Sequence, residues 1–169
     1  MIRAINIDDI RFRNELLPGD LGYIAYIHGQ LYAKECGYGL SFEGYVLEGL
    51  LEFARQYNPA KDRVWVCEYE DQMIGFLIGV HRHRGNAVQL RYFIFLPEYR
   101  GVGLGKRLMD SFMAYMKEKG FKKAYLWTTN EQHAATSLYI KYGFKLTEEK
   151  MSEAFDKLLT ELRYDLIID

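Results

Sequence analysis

The sequence predicts an α+β domain (a mixed α/β chain) in which helices pack on one mixed sheet. Three observations carry this. The hydrophobic periods run strand, two helices, three strands, helix, strand, helix, two strands, which is not the regular alternation of a doubly wound fold. Met73 to His81 is continuously apolar, as a strand covered on both faces must be. The 169 residues contain no low-complexity tract, repeat or long linker, so 1–169 is read as a single domain.

Each element has its own signal. Met1 to Ile7 alternates with a period of two (Ile5, Ile7) and predicts a first strand. Pro18-Gly19-Asp20 breaks the chain, and Asp20 is placed to cap a helix from Leu21 to Glu35 with Ile24, Ile27 and Leu31 as its apolar stripe. Cys36-Gly37-Tyr38-Gly39 ends that helix. Ser41 is placed to cap the next, which runs to Tyr57 and carries Phe42, Val46, Leu50 and Phe53 at helical spacing. Asn58-Pro59 is a stop. Arg63 to Glu70 alternates, Asp71-Gln72 predicts a two-residue hairpin loop, and Met73 to His81 follows. Arg84-Gly85-Asn86 turns the chain into Ala87 to Leu96, closed by Pro97. Gly101 to Gly105 opens a helix reaching Lys119, with Leu104, Leu108, Phe112 and Met116 in one stripe, Met109 and Met113 beside it, and Gly120 at its end. Lys123 to Thr129, Glu131 to Tyr142, Phe144 to Glu149 and Leu162 to Ile168 complete the chain as strand, helix, strand and strand.

Composition narrows the function. The chain is 49% hydrophobic and 27% charged, enough apolar material for a sizeable core. Its formal net charge of -1 argues against a general nucleic-acid binder or a polybasic membrane-surface protein. Two cysteines, Cys36 and Cys67, form neither a disulfide framework nor a zinc site. The N-terminus lacks a signal-peptide core and no apolar run is long enough to span a bilayer, so the expectation is a soluble, cytoplasmic protein. No metal is expected: His81 and His83 alternate at a hairpin end without a third ligand.

Pro97-Glu98-Tyr99-Arg100-Gly101-Val102-Gly103-Leu104-Gly105-Lys106-Arg107 carries most of the information. Glycines at 101, 103 and 105 remove Cβ atoms where a strand becomes a helix, and backbone N–H groups at such a junction are unpaired and lie at the positive end of the helix dipole. That is an anion site, best matched to phosphate. Lys106 and Arg107 stand in the first turn, where acidic residues are the rule, and Arg100 adds charge on the near side. The spacing fits neither a P-loop, since Arg107 stands where Ser or Thr is needed, nor the dinucleotide fingerprint.

Arg100-x-x-Gly103-x-Gly105 after a strand ending in x-Pro resembles the acyl-coenzyme A pyrophosphate loop of the GNAT superfamily of N-acetyltransferases. Ala135-Thr136-Ser137-Leu138-Tyr139-Ile140-Lys141-Tyr142-Gly143-Phe144 is similar to that superfamily's Ala-x-x-Leu-Tyr-x-x-x-Gly-Phe signature, and one helix and one strand lie between the two motifs. Gly19-Asp20-Leu21-Gly22-Tyr23, His28-Gly29-x-Leu31-Tyr32, Leu90-Arg91-Tyr92-Phe93 and Leu126-Trp127-Thr128 resemble the acetyltransferase half of MarR–GNAT fusion proteins. The winged-helix half has no counterpart in the sequence, and DNA binding is not expected.

The resemblance implies a twisted, mostly antiparallel sheet with a V-shaped split between the fourth and fifth strands. Acetyl-CoA would serve as cosubstrate, its pantetheine arm lying in the split beside Phe93, Ile94 and Phe95, with the Phe95 N–H polarising the thioester carbonyl. The N–H groups of Gly101, Val102, Gly103, Leu104, Gly105 and Lys106 would hold the pyrophosphate. Tyr139 is the family position for the general acid, and its ordinary pKa of about 10 keeps it protonated at neutral pH. Gln132 stands where an Asn contacting pantetheine is frequent. The family's occasional Glu on the preceding strand is Trp127 here, so the base falls to His28 or Glu35, which share one face of the first helix with Tyr32. Tyr23, Tyr26, Tyr32, Tyr38, Phe42 and Tyr45 cluster in the region expected to receive the acceptor, either as core and rim or as a pocket for an aromatic or cationic amine. The expected activity is transfer of an acetyl group to a primary amine, on a small molecule or a peptide, by direct attack in a ternary complex. The alternative is a non-catalytic acyl-CoA-binding sensor on the same fold. A homodimer is compatible with either, and the acceptor and acyl length stay open.

Overall fold

The computed structural model describes residues 5–169. In chain order the elements are β1 (Arg11–Arg13), α1 (Asp20–Cys36), α2 (Leu40–Gln56), β2 (Arg63–Tyr69), β3 (Gln72–Arg82), β4 (Ala87–Phe95), α3 (Leu104–Lys119), β5 (Lys123–Thr129), α4 (His133–Lys141), β6 (Lys145–Ser152) and β7 (Leu159–Ile167). The strands form one seven-stranded sheet in the order β1-β2-β3-β4-β5-β7-β6, antiparallel throughout except for β4 and β5. None of the described helices is long and apolar enough to cross a membrane.

The sheet is covered on both faces. Ile24 and Ile27 of α1 join Phe42, Val46, Leu50 and Phe53 of α2 against Val64, Val66, Phe76 and Ile78. On the other face Leu104, Leu108, Met109, Phe112 and Met116 of α3 and Tyr139 of α4 pack on Trp65, Leu77, Val88 and Leu90. The stripes expected on α2 and α3 are therefore the ones buried, because apolar side chains at helical spacing can leave water only together.

Five local expectations are corrected. The first strand was expected over Met1 to Ile7, of which residues 1–4 lie outside the described residues; Ile7 opens a short 3-10 turn, and the strand is Arg11–Arg13. Its reason is ionic rather than apolar: Arg11 and Arg13 both reach Glu68 on β2, and Arg13 also holds Asp20 at 2.7 Å. Asp20 consequently does not cap α1. Gly19 takes the cap position, and the Asp20 carboxylate turns back to accept from the Leu17 N–H at 2.7 Å. Ser41 does not cap α2 either, because it lies inside the helix and donates both its N–H and its hydroxyl to Asp156, at 2.9 and 2.8 Å. The β2–β3 turn is Glu70-Asp71, one residue earlier than expected. Both residues are left-handed (φ 48° and 61°), the turn geometry that matches strand twist. The last strand also starts earlier, at Leu159.

Two irregularities in β4 shape everything downstream. It pairs with β5 only at Ala87–Lys123, Val88–Ala124 and Gln89–Tyr125; beyond these the two strands part, and the sheet is split there. Further along, Arg91 opposes Ile78 and Ile94 opposes Phe76, so β4 spends one extra residue against β3. This bulge sits at Tyr92, whose φ is 56°. It reverses the alternation: Leu90 faces α3, whereas Tyr92 and Ile94 face α1 and α2.

Candidate active site

The start of α3 is built to leave donors free. Gly103 takes the cap position with φ 95° and Gly101 has φ 80°, conformations costly for a residue with a Cβ. No side chain caps the helix, its first turn contains no acid, and the first backbone bond runs from the Arg107 N–H to the Gly103 carbonyl. Among the described residues nothing accepts from the N–H groups of Gly101, Val102, Gly103, Leu104, Gly105 or Lys106. The side chains expected to add charge have local partners. Lys106 pairs with Asp110 at 2.8 Å, and Arg107 lies 4.9 Å over the Phe12 ring. The free donors here are thus main-chain ones.

Two cavities meet at the split. The larger, about 620 Å³, runs from the α3 start along Phe93, Ile94 and Phe95 to Gln132 and Leu138. The smaller, about 140 Å³, lies between α1, α2 and the parted strands and is walled by Tyr32, Tyr38, Phe42, Tyr45, Trp127 and Phe155. Tyr32, Phe93, Gln132 and Ala135 border both. A long ligand on the phosphate side and a small one on the other could therefore touch only at these residues.

The backbone of β4 offers a donor at that junction. The Leu96 N–H donates to Ile74 of β3 at 2.8 Å, and successive peptide groups of a strand alternate sides. The Phe95 N–H therefore faces away from β3, toward the side from which β5 has parted.

Tyr139 is 5% exposed, borders the small cavity, and packs 6.2 Å from the Phe93 ring. Burial, with a smaller contribution from Tyr32, pushes its pKa well above the ordinary phenol range, so it is a neutral O–H at any physiological pH. His28, 4% exposed, borders the same cavity between the rings of Tyr32 and Tyr92. Its Nδ1 lies 2.8 Å from the Ile24 carbonyl, which can only accept, so Nδ1 carries the proton and Nε2 keeps the lone pair. Burial lowers its pKa to about 4, against a smaller opposing effect of that bond.

Glu35 is placed differently. It does not border the small cavity but spans the mouth of the large one, holding Arg100 at 2.8 Å, and Arg100 also reaches the Phe95 carbonyl at 3.4 Å. Gln132 precedes α4, borders both cavities and contacts Cys36 Sγ at 3.3 Å. Gly101, Gly103, Leu104 and Gly105 line the large cavity, whereas Val102 and Lys106 do not, and Leu104 is buried as the first residue of α3.

The sequence reading missed the roof of the small cavity. The β6–β7 connection lays Phe155 against Tyr38, Phe42 and Tyr45. The Gly39 N–H donates to the Phe155 carbonyl at 3.0 Å, and Lys157 ties the Cys36 carbonyl (2.7 Å) to Glu131. Tyr38 adds a hydroxyl contact to Thr129 of β5 at 2.8 Å. Nothing local marks Phe155, since one aromatic in a charged loop has no periodic signal. Of the six aromatics expected near the acceptor, Tyr32, Tyr38, Phe42 and Tyr45 wall the cavity. Tyr23 and Tyr26 stack on each other outside it.

Comparison with known proteins identifies the family and the fold. The acetyltransferase (GNAT) family matches residues 30–144. An uncharacterized N-acetyltransferase, YjgM, of Escherichia coli (strain K12) is 34% identical over 113 residues, covering 64% of this chain and 68% of the relative. An uncharacterized N-acetyltransferase of Schizosaccharomyces pombe (strain 972) is 29% identical over 133 residues, 78% of this chain and 80% of its own. Among solved structures, spermidine N-acetyltransferase from Vibrio cholerae in complex with CoA and spermine superposes with a TM-score of 0.69 at 19% identity, covering 95% and 96% of the two chains.

Proposed function

This chain belongs to the acetyltransferase (GNAT) family of enzymes, and from that premise we propose that it moves an acetyl group from acetyl-CoA to a primary amine by direct attack in a ternary complex. The observation that carries the reading is the pair of cavities meeting at Tyr32, Phe93, Gln132 and Ala135: one has free main-chain donors at its mouth, the other a protonated phenol and a lone-pair nitrogen.

In this reading the N–H groups from Gly101 to Lys106 hold the pyrophosphate, as donors at the positive end of a helix do. Gln132 and the edge of Phe93–Phe95 flank the pantetheine arm. The Phe95 N–H donates to the thioester oxygen as negative charge builds there, a fixed donor in a water-poor site. The amine nitrogen forms its bond to the acyl carbon as the C–S bond breaks; Tyr139 gives its proton to the departing sulfur, and the proton that the nitrogen sheds as the amide forms replaces it on the Tyr139 oxygen. Burial that raises the phenol's pKa also raises the basicity of a thiolate beside it, so the transfer remains matched. His28 accepts a hydrogen bond from the amine through Nε2. With a pKa of about 4 it orients a neutral amine better than it strips a proton from a charged one. Glu35, occupied with Arg100, is the weaker base candidate. The reading includes a cytoplasmic setting, in which the free thiols Cys36 and Cys67 stay reduced, and leaves room for a homodimer. Likeness to the acetyltransferase half of MarR–GNAT fusions belongs to the same proposal.

Release of free thiol from acetyl-CoA across a panel of small amines and peptides is the test. Tyr139→Phe is expected to lower kcat about 100-fold while leaving CoA affinity within about twofold. Unchanged turnover in that variant would remove the acid assignment. CoA binding without thiol release from any amine would favour a non-catalytic acyl-CoA sensor.

A further inference from the structure

Arg91 and Tyr92 are two polar side chains that the transfer chemistry leaves unused. As neighbours in a regular strand they would point to opposite faces. The β4 bulge instead brings both against Gly49 of α2: a Cβ there would collide with the Tyr92 hydroxyl and lie 2.6 Å from Arg91 Nη2. The Tyr92 hydroxyl is buried without a hydrogen-bond partner. The Arg91 guanidinium lies 4.8 Å over the Tyr92 ring, and no described carboxylate comes within ion-pairing distance of it. The acids nearby are engaged elsewhere, Glu52 with Arg82 at 2.8 Å and Glu161 with Lys150 at 3.7 Å.

A partly buried guanidinium with no anion is an expensive arrangement. Arg91 borders the same small cavity as Tyr139, His28 and the unpartnered Tyr92, and also the narrow cleft beside Gly49 and Glu52. We infer that Arg91 receives a carboxylate of the acceptor, so that the substrate is an α-amino acid with an aromatic or apolar side chain, its amine toward Tyr139 and His28 and its side chain against Tyr38, Phe42 and Phe155. A planar guanidinium takes a carboxylate through two parallel hydrogen bonds, and this fixes the molecule's orientation as well as its charge. A polyamine would instead bring a second cation toward Arg91. The inference rests on the acyl-transfer reading for which ligand enters, but it is tested by binding, independently of turnover.

The experiment is calorimetry on the CoA-saturated protein with two product-like probes, N-acetylphenylalanine and N-phenethylacetamide, which differ by the carboxylate alone. The carboxylated probe is expected to bind at least about tenfold tighter, the gain typical of a hydrogen bond between charged groups. Arg91→Met, checked for an unchanged melting profile, is expected to remove that difference, and Arg91→Lys to restore part of it. Equal binding of the two probes, binding of neither, or a preference that survives in Arg91→Met overturns the inference. Absence of thiol release with every amine strikes the acyl-transfer reading instead, and the probe comparison still decides on Arg91.

Discussion

Helices α2 and α3 begin in the same way and end up doing different work. Each has a glycine in the cap position, Gly39 and Gly103, and no cap from its own side chains. Every helix start leaves N–H donors unpaired. At α2 the protein supplies the acceptor itself: Asp156, from the far β6–β7 loop, takes the Ser41 N–H and hydroxyl. At α3 the donors from Gly101 to Lys106 are left open beside a large cavity, and Arg100 at its mouth is cationic and already held by Glu35. A carboxylate from elsewhere in the chain closes one helix start; its absence leaves the other open.

The comparison is broken most severely by giving α3 what α2 has. Gly103→Asp puts a carboxylate at the open donors, and Gly103→Asn shares its backbone cost, since both residues tolerate left-handed φ. CoA affinity by calorimetry should fall about 100-fold or more in the Asp variant and about tenfold or less in the Asn variant, with similar losses of Tm. Equal affinities in the two would mean that phosphate is not held there.

The reverse experiment removes the carboxylate from α2. Asp156→Ala should lower Tm and loosen the Phe155 roof, raising the acceptor KM severalfold, while CoA affinity stays within about twofold, because α3 is untouched. Acid reproduces this variant. The Ser41 N–H and hydroxyl hold the Asp156 carboxylate below its ordinary pKa. Its contribution is therefore fully present above the ordinary carboxylate pKa and is lost as pH falls through the lowered one. The Tm gap between wild type and Asp156→Ala should close at low pH; a gap independent of pH would point to packing instead.

The smallest effect is expected from Glu35→Gln, which frees Arg100 at the α3 loop. Exposed ion pairs contribute roughly 0.2–1 kcal/mol. CoA affinity should rise by no more than about fivefold, and less in high salt. A loss of affinity would show that the pair positions Arg100 rather than restraining it.

Much of this was legible in one dimension. Periodicity found α2, α3 and the central strands, because burial of one face is a local pattern repeated along the chain. The open donors at the start of α3 were legible because three glycines with no acid in the following turn leave backbone N–H groups without a local acceptor. The misplacements have a common cause. Arg11–Arg13 is a strand through ion pairs to Glu68, and Asp20 and Ser41 are drawn from capping by Arg13 and Asp156, partners 7 to 115 residues away. Glu68 and Asp156 lie 55 to 115 residues from their partners, beyond any local pattern, and Arg13, although seven residues from Asp20, belongs to a strand that Glu68 holds in place.

What the sequence determined by itself, then, was the main helices and central strands and the open donors at the start of α3, since backbone donors and apolar stripes depend only on neighbours along the chain. The small cavity was decided by the tertiary structure alone. It exists because β4 parts from β5 after Gln89, because one extra residue at Tyr92 turns Arg91 and Tyr92 to the same face, and because Phe155 arrives from a loop more than a hundred residues beyond the helices it covers. Strand register and loop closure are set by contacts between distant segments, and only folding brings those segments together.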